Sequence, residues 1–349
     1  MSEKFRMIQE ALGGFGLDSN TLVVRRKLPD NWHGDLHYKI AVEGKSYSAR
    51  FMAYQRAKED ASPFANLADE VLREQMRYVD HLLARGIPFM KRVKTTEGDA
   101  FVLVEDDRGV IRRCMLFEWM DGVHITVNTE EVAFRMGEMA RRYHDASQGF
   151  ATDVLPRKIH TENYLQMIEL LGRERDKRAL TGKVRKRLNA YIAHANEQIR
   201  SGHRDPSESD LLVMTSDLNS VNVLWEETSR TINGIIDFEH LSLSDRVQDL
   251  TWLIKWYSRT EGMHSHKVSN QLAQALMYGY RAHELLTDDD YARFPALLWL
   301  SGCLNWNFVQ KTVKLIQSDS DKLVDHLDRF VERGKLLTGL ASDLKLTLF

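Results

Sequence analysis

One stretch constrains this chain more than any other: TSDLNSVNVLW (Thr215–Trp225), followed by GIIDFEH (Gly234–His240). Asp217 stands five residues before Asn222. A short apolar run, a turn and a second apolar run ending in Asp237 come next. A loop followed by two short strands can bring two carboxylates and one amide to a single place. Phosphoryl transfer asks for that set: a carboxylate to orient the attacking hydroxyl, and an Asn and an Asp to hold metal on the nucleotide phosphates. Taken singly, Asp217 could start a turn and Asn222 could cap a loop, as Asx residues often do.

The rest of the chain divides into a strand-rich part and a helix-rich part. Strands are expected at 21–27, His37–Gly44 and Ser46–Tyr54, the last two alternating apolar and polar residues. A helix should run from Asn66 to Arg85, stopped by Gly86 and Pro88. Phe101–Asp106 and Val110–Trp119 form a hairpin pattern. That gives a sheet of five strands with one helix inserted after the third. Helical periodicity dominates beyond Met120–Gly122: one helix at Glu130–Ala146, two across roughly 159–200, and others near 247–258, 265–285, 288–313 and 319–343. Strands first and helices later indicate an α+β fold.

Length and composition fit this division. The 349 residues are enough for more than one domain, and 43% hydrophobic with 28% charged is ordinary for a globular chain. A net charge of −2 gives no sign of nucleic acid or a membrane as partner. The first ten residues lack the apolar core of a signal peptide. Cys114 and Cys303 are far apart and read as reduced, buried thiols, which suits a cytoplasmic protein.

The motif also resembles that of the aminoglycoside phosphotransferase and choline kinase family, the small-molecule relatives of protein kinases. The family's loop usually reads H-G-D-L-H-x-x-N-V-L and then I-D-F-[EG]. Here T-S-D-L-N-S-V-N-V-L is followed by I-I-D-F-E, and SDRVQDL (Ser244–Leu250) resembles the family's G-D-P-x-x-D-L. Thr215 and Asn219 stand where the family usually has histidine. The resemblance implies a protein-kinase-like two-lobed fold. Residues 1–119 would form a nucleotide-binding lobe, and 120–349 a helical catalytic and substrate lobe. It implies ATP and Mg as cofactors, a small-molecule hydroxyl acceptor, Asp217 as catalytic base, and Asn222 and Asp237 as metal ligands. An atypical protein Ser/Thr kinase and a nucleotide-binding scaffold without transfer activity are the rival readings.

Around the nucleotide, the same resemblance assigns further residues. No G-x-G-x-x-G joins the first two strands, so the turn Asn31–Asp35 is the available phosphate cover, with Gly34 allowing close backbone approach. Arg50 is the expected phosphate cation, preferred over Lys45 in its turn. Its helix partner would be Gln75 or, in another register, Glu74. Adenine contacts would be main-chain groups of Glu118 and Met120. Toward the acceptor, Glu239 and His240 are candidates, while Asp249 would cap or anchor its helix.

Residues 157–204 hold twelve Lys or Arg against five Asp or Glu, a net charge of +7. A wall of that sign would repel a polycationic acceptor, although solvated helical faces also carry such runs. Trp252 and Trp256 share one expected helix, and Trp299 and Trp306 another. They could form an aromatic box for a quaternary ammonium, or simply pack in the core.

Overall fold

A computed structural model describes residues 3–29, 34–54, 68–205, 207, 210–215 and 217–347. The N-terminal part is a sheet of six strands rather than the expected five. Its strands are β1 (Val23–Lys27), β2 (Leu36–Val42), β3 (Lys45–Ala53), β4 (Arg92–Val93), β5 (Val102–Glu105) and β6 (Ile111–Glu118). The order is β1-β2-β3-β6-β4, with β5 also pairing β6, and every pairing is antiparallel. The added strand, β4, has only two residues, too short for alternation to reveal in sequence.

Helix α1 (Glu3–Gly14) packs Met7, Ile8, Ala11 and Leu12 in one cluster with Ile40, Val42, Phe51 and Leu116 of the sheet. That leaves the other sheet face for α2 (Asp69–Ala84), whose Leu72, Met76, Val79 and Leu82 are fully buried. The α2 stripe belongs to the larger core that continues into the helical part. Tyr78 on α2 donates its hydroxyl to the Val213 carbonyl at 2.5 Å, tying the helix to the C-terminal part of the molecule.

Helices dominate after Glu118: α3 (Glu130–Ser147), α4 (His160–Asp176), α5 (Gly182–Gly202), α6 (Arg246–Tyr257), α7 (Asn270–Tyr280), α8 (Asp288–Cys303), α9 (Trp306–Ser318) and α10 (Ser320–Thr347). The helix expected across 288–313 is therefore two. Asn305 ends the first and caps the second by accepting the Phe308 N–H at 3.0 Å. Trp299 and Trp306 consequently sit on different helices. Helices α3 and α7 cross at glycines: a Cβ on Gly137 would lie 2.0 Å from the Leu276 carbonyl oxygen, and one on Gly279 2.0 Å from that of Phe134. Among the described residues, no helix is long and apolar enough to cross a membrane.

Two small antiparallel pairs lie between these parts. β7 (Leu211–Met214) pairs β10 (Ser242–Asp245), and β8 (Val223–Trp225) pairs β9 (Ile232–Ile235). The β8–β9 hairpin is held against residues 88–90: Ile235 N–H donates to Pro88 O at 2.7 Å and Met90 N–H to Ile235 O at 3.0 Å. Val123 and Trp225 exchange both backbone hydrogen bonds at 2.9 Å. This hairpin presents the motif residues to the cleft.

Candidate active site

Asn222 immediately precedes β8, and Asp237 follows β9 by one residue. Pairing of the two strands therefore brings these side chains close, and Ile236 N–H donates to Asn222 O at 2.9 Å beyond the ladder. Asn222 donates its Nδ2 to the Asp217 carbonyl at 2.9 Å and to Asp217 Oδ2 at 3.3 Å. That commitment of the nitrogen leaves Asn222 Oδ1 as the atom able to meet a cation. Asp237 has φ +79°, a left-handed conformation that non-glycine residues adopt at a cost. Its Oδ1 accepts the Glu239 N–H at 3.1 Å, which closes the turn.

Single ligand atoms of Asp217, Asp237 and His240 all lie within 4.8 Å of one another. His240 Nε2 is 3.9 Å from Asp217 Oδ2. Burial raises the Asp217 carboxyl above the ordinary aspartate range, opposed by His240 and by the Asn219 hydrogen bond. Burial likewise lowers His240, opposed by the charges of Asp217 and Asp237. A divalent cation would favour the ionised carboxylates. Two carboxylates and an amide oxygen are the hard donors such an ion prefers.

Asn219, where the resembling family usually has histidine, braces the catalytic loop. Its Nδ2 donates to Asp217 Oδ1 at 2.8 Å, and its Oδ1 accepts the Val221 N–H at 2.9 Å. Thr215 is buried behind the loop.

Arg50 lies on the cleft side of β3, opposite His37 on β2. It does not meet α2, so the expected pairing with Gln75 or Glu74 is corrected. Glu74 turns outward to Arg77, Nη2–Oε1 2.6 Å, and Gln75 is buried in α2 with its Oε1 unpartnered. Arg50 is instead bound by Asp35, at 3.2 Å, and by Glu239. Both carboxylates reach it from segments distant in sequence, and both are buried. Glu239, expected near the acceptor, thus pairs with Arg50. Of the expected phosphate turn, residues 31–33 lie outside the described residues, and Gly34 takes φ +71°.

Arg50, Asp35, His37, Phe117, Glu118, Met120, Asn222 and Asp237 all line one cleft of about 440 Å³. Burial and the Arg50 charge push His37 down to about 4, with Asp35 opposing. Phe117 packs on Phe238 at 5.7 Å between ring centroids, so this aromatic joins the two parts of the molecule.

Sequence reasoning missed Lys158, which lies under the charge of Asp217. It precedes α4, and its N–H donates to Leu243 O at 2.8 Å. Burial pushes its ammonium down to about 8, with Asp217 opposing. The basic bias of residues 157–204 was visible, but no pattern singled this lysine out. Asp249 anchors α6 by accepting from buried His144 at 3.0 Å, while the other ring nitrogen of His144 meets the Tyr280 hydroxyl at 2.9 Å. Asp245 caps α6 and pairs with Arg293 at 2.6 Å.

With this geometry in view, the comparisons decide the family. The sequence profile described as the phosphotransferase enzyme family matches residues 17–294. The chain belongs to that family. It is a phosphotransferase acting on a hydroxyl group. Among proteins of curated function, none matches it in sequence. Its fold is similar to that of an aminoglycoside phosphotransferase from Alicyclobacillus acidocaldarius, with TM-score 0.65, 14% identity, and 97% of this chain and 96% of that one covered. It is also similar to an amicoumacin kinase in complex with AMP-PNP, Ca2+ and Ami, with TM-score 0.63, 16% identity, and 92% and 90% covered. A microcompartment-associated aminopropanol kinase aligns with TM-score 0.60 at 16% identity over 99% of both chains. The protein-kinase-like two-lobed architecture is thereby established.

Proposed function

We propose that this phosphotransferase is an ATP- and magnesium-dependent kinase of a small hydroxylated metabolite. The observation that carries the reading is the convergence of Asp217, Asn222 and Asp237 at the mouth of the cleft holding Arg50. Residues 1–119 act as the nucleotide lobe and 120–349 as the catalytic and substrate lobe. The nucleotide lies in the cleft, with its base against the segment containing Glu118 and Met120 and its phosphates toward Arg50. Asn222 and Asp237 would hold magnesium, which when bound supplies neutralisation of phosphate charge. The acceptor hydroxyl donates its hydrogen bond to Asp217, which orients it and receives its proton. Asn219 and Asn222 fix the Asp217 rotamer, so little reorganisation is needed at the moment of transfer.

The amicoumacin kinase complex with AMP-PNP and Ca2+ supports a nucleotide and a divalent ion on this fold. Only Phe238–Leu241 separate Asp237 from β10, too short a stretch for a protein-substrate-binding segment. That favours a small molecule over a protein substrate. The test is ATP consumption with magnesium across a metabolite panel. The reading expects ADP release that depends on at least one small alcohol. Phosphate incorporation into protein with no response to any metabolite would overturn it.

A further inference from the structure

One face of α6 buries polar and charged groups that do not line the nucleotide cleft. Gln248, Trp252, Lys255 and Trp256 recur at helical spacing, and Arg259 continues the row just past the helix end. Lys255 Nζ stands 3.9 Å from the Trp252 ring centroid and 4.4 Å from that of Trp256. The Arg259 guanidinium also lies over Trp256, 4.4 Å from its ring centroid. The tryptophans expected to be available as an aromatic box are thus already engaged by the protein's own cations. From α10, Arg333 donates to His266 Nδ1 at 3.1 Å.

Lys255 and Arg259 are only 4% and 5% exposed. Neither they nor Arg333 has a carboxylate partner among the described residues, whereas the shielded Arg92, Arg112, Arg113 and Arg293 each have one. Buried cations are ordinarily paired, because an unpaired charge in a low-dielectric setting is costly. Gln248 Nε2 and Trp256 Nε1 on the same face are buried N–H groups without an acceptor among the described residues. The row therefore offers donors and positive charge in excess. The charges of Lys255 and Asp217 act weakly on each other, while burial, with Arg259 and Arg333, holds the Lys255 ammonium well below its ordinary range. An incoming anion would satisfy the donors and stabilise the charged form of the lysine.

We propose that the Gln248–Lys255–Arg259 face of α6, with Arg333, is an oxyanion subsite, and that the phosphate acceptor is an anionic alcohol, a hydroxy acid or a sugar phosphate, whose anion seats there while its hydroxyl meets Asp217. The inference rests on the kinase reading above and deepens it. It excludes the polycationic acceptors that the basic 157–204 segment also disfavours.

The experiment pairs acceptor-dependent ADP release with thermal shifts in the presence of AMP-PNP and magnesium. The probes are hydroxy carboxylates and sugar phosphates of three to six carbons, their uncharged parent alcohols, and amino alcohols. Turnover and thermal stabilisation should appear with anionic members only, the uncharged parents falling by about 100-fold or more in kcat/KM. The carboxylate and phosphate arms identify which oxyanion is used. Lys255→Met should raise the acceptor KM about tenfold or more without changing the nucleotide KM, and should raise the melting temperature of the unliganded protein. A lysine that merely spaces the two indoles would instead lower that temperature and leave the acceptor KM unchanged. If AMP-PNP and magnesium bind but uncharged or amino alcohols serve as well as anions, or Lys255→Met leaves the anion-induced shift intact, the subsite is refuted and the kinase reading survives. If AMP-PNP and magnesium do not bind at all, both fall.

Discussion

Arg50 is gripped by Asp35 and Glu239, whereas Lys255, Arg259 and Arg333 have no carboxylate partner among the described residues. The first arrangement is self-neutralised. Arg50 is held in place at the cleft wall by two carboxylates, with which the phosphates of the proposed nucleotide would compete. The second arrangement is incomplete, with cations resting on indole faces and N–H groups lacking acceptors among the described residues. A cation–π contact offsets only about 2 kcal/mol of the cost of desolvating a charge, less than a full ion pair would. The contrast teaches that burial alone does not mark a ligand site. A buried charge with an internal partner is positioned, and one without a partner is, on the proposal above, a place for a group of opposite sign.

Four substitutions or titrations test this contrast, in descending order of effect. Asp217→Asn should lower kcat by about 10²–10⁴-fold, the range for removing a general base. Nucleotide affinity, read by calorimetry with AMP-PNP, should stay within a few-fold. Arg50→Met should raise the nucleotide KM by about 10- to 100-fold, as expected for a lost charge-assisted contact to phosphate, and leave the acceptor KM alone. An equal rise in both constants would erase the distinction between the two arrangements.

Glu239→Gln should have a smaller effect of opposite sign. The glutamine can still accept from Arg50 but no longer competes by charge, so nucleotide binding should tighten by about two- to fivefold. Weaker binding would mean that Glu239 positions the cation and does not restrain it. The smallest effect concerns His37, whose value in the fold is about 4 against the ordinary 6.5. The fold favours its neutral form, so its contribution to stability is complete above 6.5 and is lost as pH falls toward 4. The loss is at most about 1.4 kcal/mol per pH unit. Melting temperatures between pH 7 and 4.5 should fall less steeply in His37→Gln than in the parent protein.

The motif chemistry was legible because it is local. Asp217, Asn222 and Asp237 lie within one loop and one hairpin, so sequence spacing nearly determines their geometry. The passage from strands to helices was legible for a similar reason, since periodicity of two or of 3.6 is a local property. What escaped was set by long-range packing. Asp35 and Glu239 meet Arg50 from 15 and 189 residues away, and nothing in α2 signalled that Gln75 would be left inside the core. Lys158 comes under the charge of Asp217 because the segment before α4 runs beside β10. The W-x-x-K-W run from Trp252 to Trp256 did carry a usable signal: a lysine three and one residues from two indoles on one helix face is within reach of both rings. The break at Asn305 was a capping signal inside an apolar run, outweighed by the periodicity on either side.

The claim on which the account depends is that Asp237, with Asn222, holds a divalent ion on a nucleotide beside Asp217. Manganese can replace magnesium as a spectroscopic probe, and its binding can be followed by electron paramagnetic resonance with AMP-PNP present. The account predicts nucleotide-dependent manganese binding in the parent protein and an affinity about 10- to 100-fold weaker, or none, in Asp237→Asn. Equal manganese affinity in the two proteins, or binding indifferent to AMP-PNP, would contradict it.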